Sequence, residues 1–339
     1  MFQGLYAVLV TPFQADGAVD GESFDRLVDF YLDRGAHGLV ILSVMGEGPM
    51  LLEEERAQVV ARVVERVNGR VPVVVGVNEE AEMAARMGRR FIELGASALL
   101  VAPPARLASQ LEAIFEHYQT IATATKAPLV VLDYPPIVGH LPVSFIQRLT
   151  DEIDEVRAIK MEDTPTPTKI EQLRALVGDR LRILGAFGGV HCLQELKAGS
   201  DGLMTGYACP EHLIAIMHQF QAGEVAAAEL EYTRWLPFLT YEKQFGLGLR
   251  KEILRQRGAI ATSTVRTANA AFDGPPEMYL NTAILQAMSV GFPLSEKPQP
   301  QAWKKRLATP STNSLRATST PSTDSLLAPP STDSLLVRA

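Results

Sequence analysis

The stretch that decides the fold reads VRAIKMED, at residues 156–163. In a strand, alternate residues face the same way, so Lys160 shares a face with Val156, Ala158 and Glu162. Burial lowers the pKa of a lysine toward the range in which the free amine attacks a carbonyl. The stretch therefore predicts an apolar strand that ends in either a reactive amine or an ordinary solvated lysine.

Seven further runs rich in β-branched residues resemble strands, and an amphipathic helical stretch follows each of them. They lie at residues 5–11, 37–43, 71–77, 98–102, 129–134, 182–186 and 201–207. With the Lys160 strand as the sixth, eight strand–helix units joined by short loops predict an α/β fold, a (β/α)8 TIM barrel. An open doubly wound sheet is the alternative. It calls for a GxGxxG fingerprint, and neither 46–48 nor 185–189 fits one.

The chain divides into three parts by composition. Residues 1–223 hold the barrel units, and residues 224–292 read as a C-terminal helical appendage packed on the barrel. Residues 293–339 repeat PSTNSL and PSTDSL and contain few large apolar side chains. Because such a composition cannot bury a core, we expect a disordered Pro/Ser/Thr-rich tail there.

The composition excludes several classes of partner. The net charge of −7 and a pI near 5.5 give no electrostatic reason to expect nucleic acid or an anionic membrane. The two cysteines, Cys192 and Cys209, form no metal-spaced motif, so neither a metal site nor a disulfide framework is expected. No apolar run approaches the ~18 residues of a membrane-spanning helix. A cytoplasmic protein is the prediction.

Short motifs follow one another in a fixed order along residues 4–290. They include Thr11-Pro12-Phe13, Gly46-Glu47, Val71-Pro72, Leu94-Gly95-Ala96, Pro103-Pro104 and Ala158-Ile159-Lys160. The series resembles the dihydrodipicolinate synthase and N-acetylneuraminate lyase family of Schiff-base barrels. The resemblance implies that Lys160 forms an imine with the keto carbon of pyruvate or a related 2-oxo acid. It also implies that no metal or organic cofactor is used, and that the protein is a homo-oligomer, a tetramer.

The chain departs from the family where protons are handled. The usual Gly-Thr-Thr-Gly-Glu motif is replaced by Ser43-Val44-Met45-Gly46-Glu47. Leu132 stands where the family has a tyrosine, and Ile137 where it commonly has an arginine. Tyr134, two residues beyond Leu132 on the same strand face, either supplies a phenol from a shifted position or packs at the rim. True dihydrodipicolinate synthase activity is therefore not expected.

The remaining residues offer a different site. Glu162 is predicted to exchange protons with the substrate, the alternative being a salt bridge that only holds Lys160. The loop of Val44, Met45, Gly46 and Glu47 is expected to bind the substrate carboxylate through its backbone N–H groups, and Glu47 can equally brace that loop. Leu132 and Met204 complete the predicted substrate-binding set. Five more residues near this end are each a solvated loop residue or a substrate contact: Arg106, Asp133, Asp163, His191 and Thr205.

These residues predict a class I, Schiff-base-forming lyase. It would act as an aldolase or dehydratase on pyruvate or a 2-keto-3-deoxy sugar acid, with Lys160, Tyr134 and Glu162 as catalytic residues. One alternative is condensation of pyruvate with an aldehyde, as in dihydrodipicolinate synthase, with a rebuilt proton relay. The other is a non-catalytic regulator that binds an oxo acid.

Overall fold

Eight parallel strands close into a barrel in chain order, and the first strand pairs with the last. The computed structural model describes residues 1–268, 270 and 271. The strands are β1 (Gly4–Val8), β2 (Gly38–Ile41), β3 (Val73–Val77), β4 (Ala98–Val101), β5 (Leu129–Asp133), β6 (Val156–Met161), β7 (Arg182–Gly185) and β8 (Gly202–Thr205). The TIM barrel predicted from the sequence is confirmed.

Helices surround the barrel. They are α1 (Gly21–Leu32), α2 (Glu53–Val67), α3 (Ala81–Glu93), α4 (Leu111–Thr125), α5 (Pro135–Val138), α6 (Val143–Glu152), α7 (Thr166–Val177), α8 (Cys192–Lys197), α9 (Pro210–Gln221) and α10 (Val225–Gln256). The short α5 starts at the two prolines that end β5, a turn the sequence did not predict. Among the described residues, no helix is both long and apolar enough to cross a membrane.

Local signals explain where the helices begin and end. The Asp20 side chain accepts a hydrogen bond from the Ser23 backbone N–H at 3.0 Å and so caps α1. Three glutamates occupy the first turn of α2, where negative charge complements the helix dipole. That helix ends at Asn68, which adopts a left-handed φ of 46°. These local contacts set the start of α1 and both ends of α2.

The barrel interior is filled by side chains from alternate strand positions. This inner layer contains Phe2, Tyr6, Val8, Val40, Val74, Ala98, Leu100, Ala102, Val130, Leu132, Ala158, Leu184 and Met204. The intervening strand residues pack outward against the helices, and Ile159 and Met161 are among them. Val156, expected on the Lys160 face, instead packs in the outer layer. The reason is that the register between β5 and β6 shifts between Leu129 and Val130.

The C-terminal helical appendage begins with α10, which packs against α9. Gly246 interrupts this helix with φ 67° and ψ −138°, a conformation that glycine adopts without a Cβ clash. Residues 257–268 then continue without helix to the loop that follows β2. The predicted tail, 293–339, and the rest of the appendage from 272 lie outside the described residues.

Candidate active site

Lys160 and Glu162 form an ion pair at the carboxyl end of β6. The Lys160 Nζ lies 2.6 Å from Glu162 Oε1, and the side chains are only 6% and 11% exposed. Within the barrel wall Lys160 is level with Leu132 on β5 and Leu184 on β7, both members of the inner layer. The amine therefore stands at the top of an apolar interior, at the end of the barrel where TIM-barrel enzymes carry their chemistry.

Several cations keep Glu162 ionised. Burial alone raises the pKa of this carboxyl, but the charge and hydrogen bond of Lys160 together with the charges of Lys243 and Arg250 bring it below its usual value. An ionised carboxylate next to the amine can accept a proton from Lys160 or from a bound substrate. The arrangement is compatible with both roles that the sequence left open, the general base and the salt bridge.

Tyr134 stands above Leu132 and packs against the inner layer. Burial, and then the negative charge of Glu162, raise the pKa of its phenol, so the hydroxyl keeps its proton and the two groups lie within electrostatic reach. Met204 is fully buried in the same inner layer on β8. Leu132 and Met204 thus belong to the apolar interior beneath Lys160, with Tyr134 packed against it, and the substrate contact of all three stays a prediction.

The loop after β2 is folded tightly against its neighbours. Leu42 and Glu47 adopt left-handed φ angles of 55° and 56°, which are uncommon for residues with a Cβ. A Cβ on Gly48 would lie 2.0 Å from the Leu42 carbonyl oxygen, so only glycine fits there. The side chains of Val44 and Met45 are 39% and 36% exposed. Within residues 1–268, the backbone N–H groups of these two residues meet no acceptor, which leaves them available to a carboxylate.

Glu47 belongs to that loop, but its side chain contacts the C-terminal segment. Its carboxylate pairs with Lys251 of α10, and both side chains are fully buried. It also accepts hydrogen bonds from the backbone N–H groups of Arg266 at 2.7 Å and Thr267 at 2.8 Å. These contacts are those of a brace, one of the two roles predicted for Glu47. The Gly46 carbonyl accepts a hydrogen bond from Thr11 Oγ1 at 2.5 Å, which fixes the loop to the segment that follows β1.

No sequence motif indicated the contribution of α10 to this end of the barrel. Arg250 donates from Nε to Glu242 at 2.6 Å, and its Nη1 lies so close to Gly206 that a Cβ there would be 2.3 Å away. Lys243 places its Nζ 4.3 Å from the ring centroid of Phe187, in the loop after β7. Lys243 and Arg250 follow Lys160 by 83 and 90 positions, a separation that hides the relation from local sequence patterns.

The other polar residues predicted near this end have partners of their own. Lys169 bridges Asp133 at 2.7 Å and Asp163 at 2.8 Å, outside the barrel wall. Burial raises the pKa of Asp133 to about 6. Arg106 pairs with the exposed Glu80, which directly precedes α3. The ring of His191 stacks on Phe187 with centroids 5.3 Å apart, and Thr205 is buried. A substrate contact is supported for none of them by these geometries.

One group of side chains, between the end of β8 and the first turn of α9, has the residue types of a metal site. Potential ligand atoms of Cys209, Glu211 and His212 lie within 4.8 Å of one another. Glu211, however, already pairs with Arg257 at 2.5 Å, and His212 stacks on Trp235 at 3.4 Å. A guanidinium at the carboxylate opposes a second cation, so these residues do not fit a metal. The expected absence of a cofactor stays a prediction.

A buried lysine at the mouth of a closed eight-stranded barrel, paired with a carboxylate above an apolar interior, defines the Schiff-base class of TIM-barrel lyases. The model of the dihydrodipicolinate synthetase family matches residues 1–271 of this chain. The chain belongs to that family, and it is an enzyme of the class I lyase type.

Relatives of the chain differ in the reaction they are named for. L-2-keto-3-deoxyarabonate dehydratase of Azospirillum brasilense is 31% identical over 78% of this chain and 87% of its own length. A 4-hydroxy-tetrahydrodipicolinate synthase of Thermotoga sp. strain RQ2 is 27% identical over 70% of this chain and 83% of its own length. The crystal structure of dihydrodipicolinate synthase from Rhodopseudomonas palustris superposes with a TM-score of 0.79 at 30% identity, covering 84% of this chain and 97% of that one.

Proposed function

We propose that this enzyme dehydrates a 2-keto-3-deoxy sugar acid through an imine on Lys160. The observation that carries the proposal is the pair formed by the Lys160 amine and the ionised Glu162 carboxylate in a site without the hydroxyl relay. The similarity to a 2-keto-3-deoxy acid dehydratase supports the choice of dehydration among the lyase reactions of the family.

The first step forms the imine. The Lys160 nitrogen attacks the C2 keto carbon, and the C2 oxygen leaves as water after two proton transfers, with Glu162 close enough to exchange protons with the amine. The substrate carboxylate is held by the free N–H groups of Val44 and Met45, because that contact needs no particular side chain. The positively charged imine then withdraws electrons from C3.

The second step removes a C3 proton and expels the C4 hydroxyl. Glu162 takes the C3 proton, and the electron pair moves through an enamine, forming the C3–C4 double bond as the C4–O bond breaks. Tyr134, protonated and within electrostatic reach of Glu162, donates a hydrogen bond to the substrate oxygen atoms. Hydrolysis of the imine releases the product and restores Lys160. Aldol cleavage would instead need a base at the C4 hydroxyl.

Borohydride reduction in the presence of pyruvate, followed by mass spectrometry of peptides, tests the imine. We expect a reduced adduct on Lys160 in the wild type and none in Lys160→Met, whose side chain has a similar length. Absence of the adduct at millimolar pyruvate would overturn the proposal. Turnover of 2-keto-3-deoxy sugar acids then separates dehydration from cleavage, while condensation requires an added aldehyde. An adduct without turnover of these sugar acids would also overturn the dehydratase proposal. Assembly as a homo-oligomer, and as a tetramer in particular, stays a prediction from the family.

A further inference from the structure

Lys243 extends from α10 across the loop that follows β7. Its Nζ lies over the face of Phe187, 4.3 Å from the ring centroid. Its stem packs against Gly188, where a Cβ would lie 3.0 Å from the lysine Cδ. Phe187 and Gly188 both adopt left-handed φ angles, 46° and 70°, and the absence of a Cβ at Gly188 leaves room for the lysine stem. In the part of the chain that the structure describes, the ammonium has no carboxylate within ion-pair distance.

The charges around Lys243 belong to the active site. Burial lowers the pKa of its ammonium, the negative charge of Glu162 raises it, and the positive charges of Arg250 and Lys160 lower it again, with a net decrease. Arg250 is itself neutralised by Glu242, so within the described residues Lys243 is the cation of this group that lacks an ion-pair partner. Lys243 therefore shares the barrel mouth with the reacting pair and gives up a proton more readily than an ordinary lysine.

The proposed dehydration needs a proton source that the reacting pair does not supply at the start. Glu162 is ionised and must accept the C3 proton, and the nitrogen of Lys160 is consumed in the imine. The phenol of Tyr134 holds its proton more tightly than usual, since burial and Glu162 raise its pKa. Hydroxide is a poor leaving group, so an acid at C4 accelerates elimination.

We propose that Lys243 is the general acid that protonates the departing C4 hydroxyl, an inference that rests on the dehydratase proposed above. The Lys243 ammonium transfers a proton to the C4 oxygen, the C4–O bond breaks, and water leaves. The enamine electron pair becomes the C3–C4 double bond, and the imine carbon–nitrogen double bond is restored. Glu162, protonated by the substrate C3, then returns a proton through water to the neutral Lys243 amine. Phe187 holds the ammonium in place through its ring face.

The test compares Lys243→Met and Lys243→Arg in the full-length protein, with Lys197→Met as a control at an exposed lysine paired with Glu229. Three readouts are measured: borohydride trapping with pyruvate, exchange of pyruvate C3 hydrogens for deuterium, and dehydration of a 2-keto-3-deoxy sugar acid. We expect both Lys243 variants to keep trapping and exchange and to lose dehydration by about 100-fold or more. Arginine keeps the charge but does not release its proton at neutral pH, so it fails as an acid.

A substrate with chloride in place of the C4 hydroxyl gives a second, independent readout. Chloride leaves without a proton, so Lys243→Met should eliminate chloride at nearly the wild-type rate. Three outcomes overturn the assignment: near-wild-type dehydration by Lys243→Arg, which would leave only a charge effect; no rescue by the chloro substrate; or a parallel loss of C3 exchange, which would indicate damage to the reacting pair. Failure of the wild type to form the Lys160 adduct would overturn the dehydratase proposal itself, and this inference with it.

Discussion

At the scale of single residues, Glu162 is the group whose chemistry separates this chain from a barrel with a hydroxyl relay. Its carboxylate lies 2.6 Å from the Lys160 nitrogen proposed to form the imine, and it is kept ionised by three neighbouring cations. A carboxylate in that position can remove a C3 proton without any tyrosine or threonine in between. The relay losses at Val44, Met45 and Leu132 are thus consistent with a changed reaction.

Replacing Glu162 by Gln should separate imine formation from turnover. The amide keeps the volume and a hydrogen bond to Lys160 but cannot accept the C3 proton, so kcat should fall by about 10²–10⁴-fold. Borohydride trapping on Lys160 should persist. Glu171→Gln, on the exposed face of α7, serves as the control and should leave both measurements unchanged. If turnover of Glu162→Gln equals that of the wild type, Glu162 is a salt-bridge partner only.

At the scale of elements, the decisive contact joins the loop after β2 to α10. Glu47 and Lys251 are separated by 204 positions in the chain and form a fully buried ion pair. The same carboxylate accepts hydrogen bonds from the backbone N–H groups of Arg266 and Thr267. The C-terminal segment therefore fixes the predicted carboxylate-binding loop through Glu47. The shape of the loop depends on residues far away in sequence.

The buried Glu47–Lys251 ion pair should contribute much more to the free energy of unfolding than a partly exposed ion pair of the same C-terminal segment. Glu47→Gln leaves the Lys251 charge buried without a counterion, so the free energy of unfolding should fall by about 3–5 kcal/mol. Glu55→Gln removes the partly exposed partner of Arg266 and should cost about 0–1 kcal/mol. Denaturant unfolding measures both. Equal effects of the two substitutions would contradict the buried brace, as would full stability of Glu47→Gln.

The sequence predicted the elements better than their contacts. Apolar runs indicated all eight strands. The sequence also placed Lys160 at the mouth of the barrel, because its strand is followed directly by a loop. The register shift beside Val156 was not predicted, because a bulge in the pairing of β5 and β6 changes no recognisable pattern in the sequence of either strand. Lys243, Arg250 and Lys251 were missed because three-dimensional proximity, and no spacing in the chain, brings α10 to the site.

At the scale of the whole molecule, one buried acid makes stability depend on pH. Glu195 on α8 is fully buried, and burial raises its pKa to about 8, although a hydrogen bond from Thr166 at 2.6 Å opposes the increase. The folded protein therefore retains a proton that the unfolded chain releases above its ordinary pKa near 4.5. Stability is fully present below that value and decreases as pH rises toward 8.

Glu195→Gln should remove this dependence, because the amide resembles the protonated acid in shape and charge. Near pH 5 the variant and the wild type should unfold at similar temperatures. Near pH 8 the variant should be more stable by up to several kcal/mol, since each pKa unit corresponds to about 1.4 kcal/mol. Thermal unfolding followed across this range is the measurement. A wild type that gains stability relative to the variant as pH rises would contradict the buried protonated acid.

One helix, α10, carries both the acid proposed for the leaving group and the lysine that braces the carboxylate loop, on either side of its break at Gly246. In terms of inheritance, the position of each lysine depends on the number of helical residues between it and that break. A deletion or insertion of a single residue between Gly246 and either lysine rotates that lysine by about 100° about the helix axis relative to the break. Descendants of this gene should accordingly preserve the length of that segment even where its side chains change.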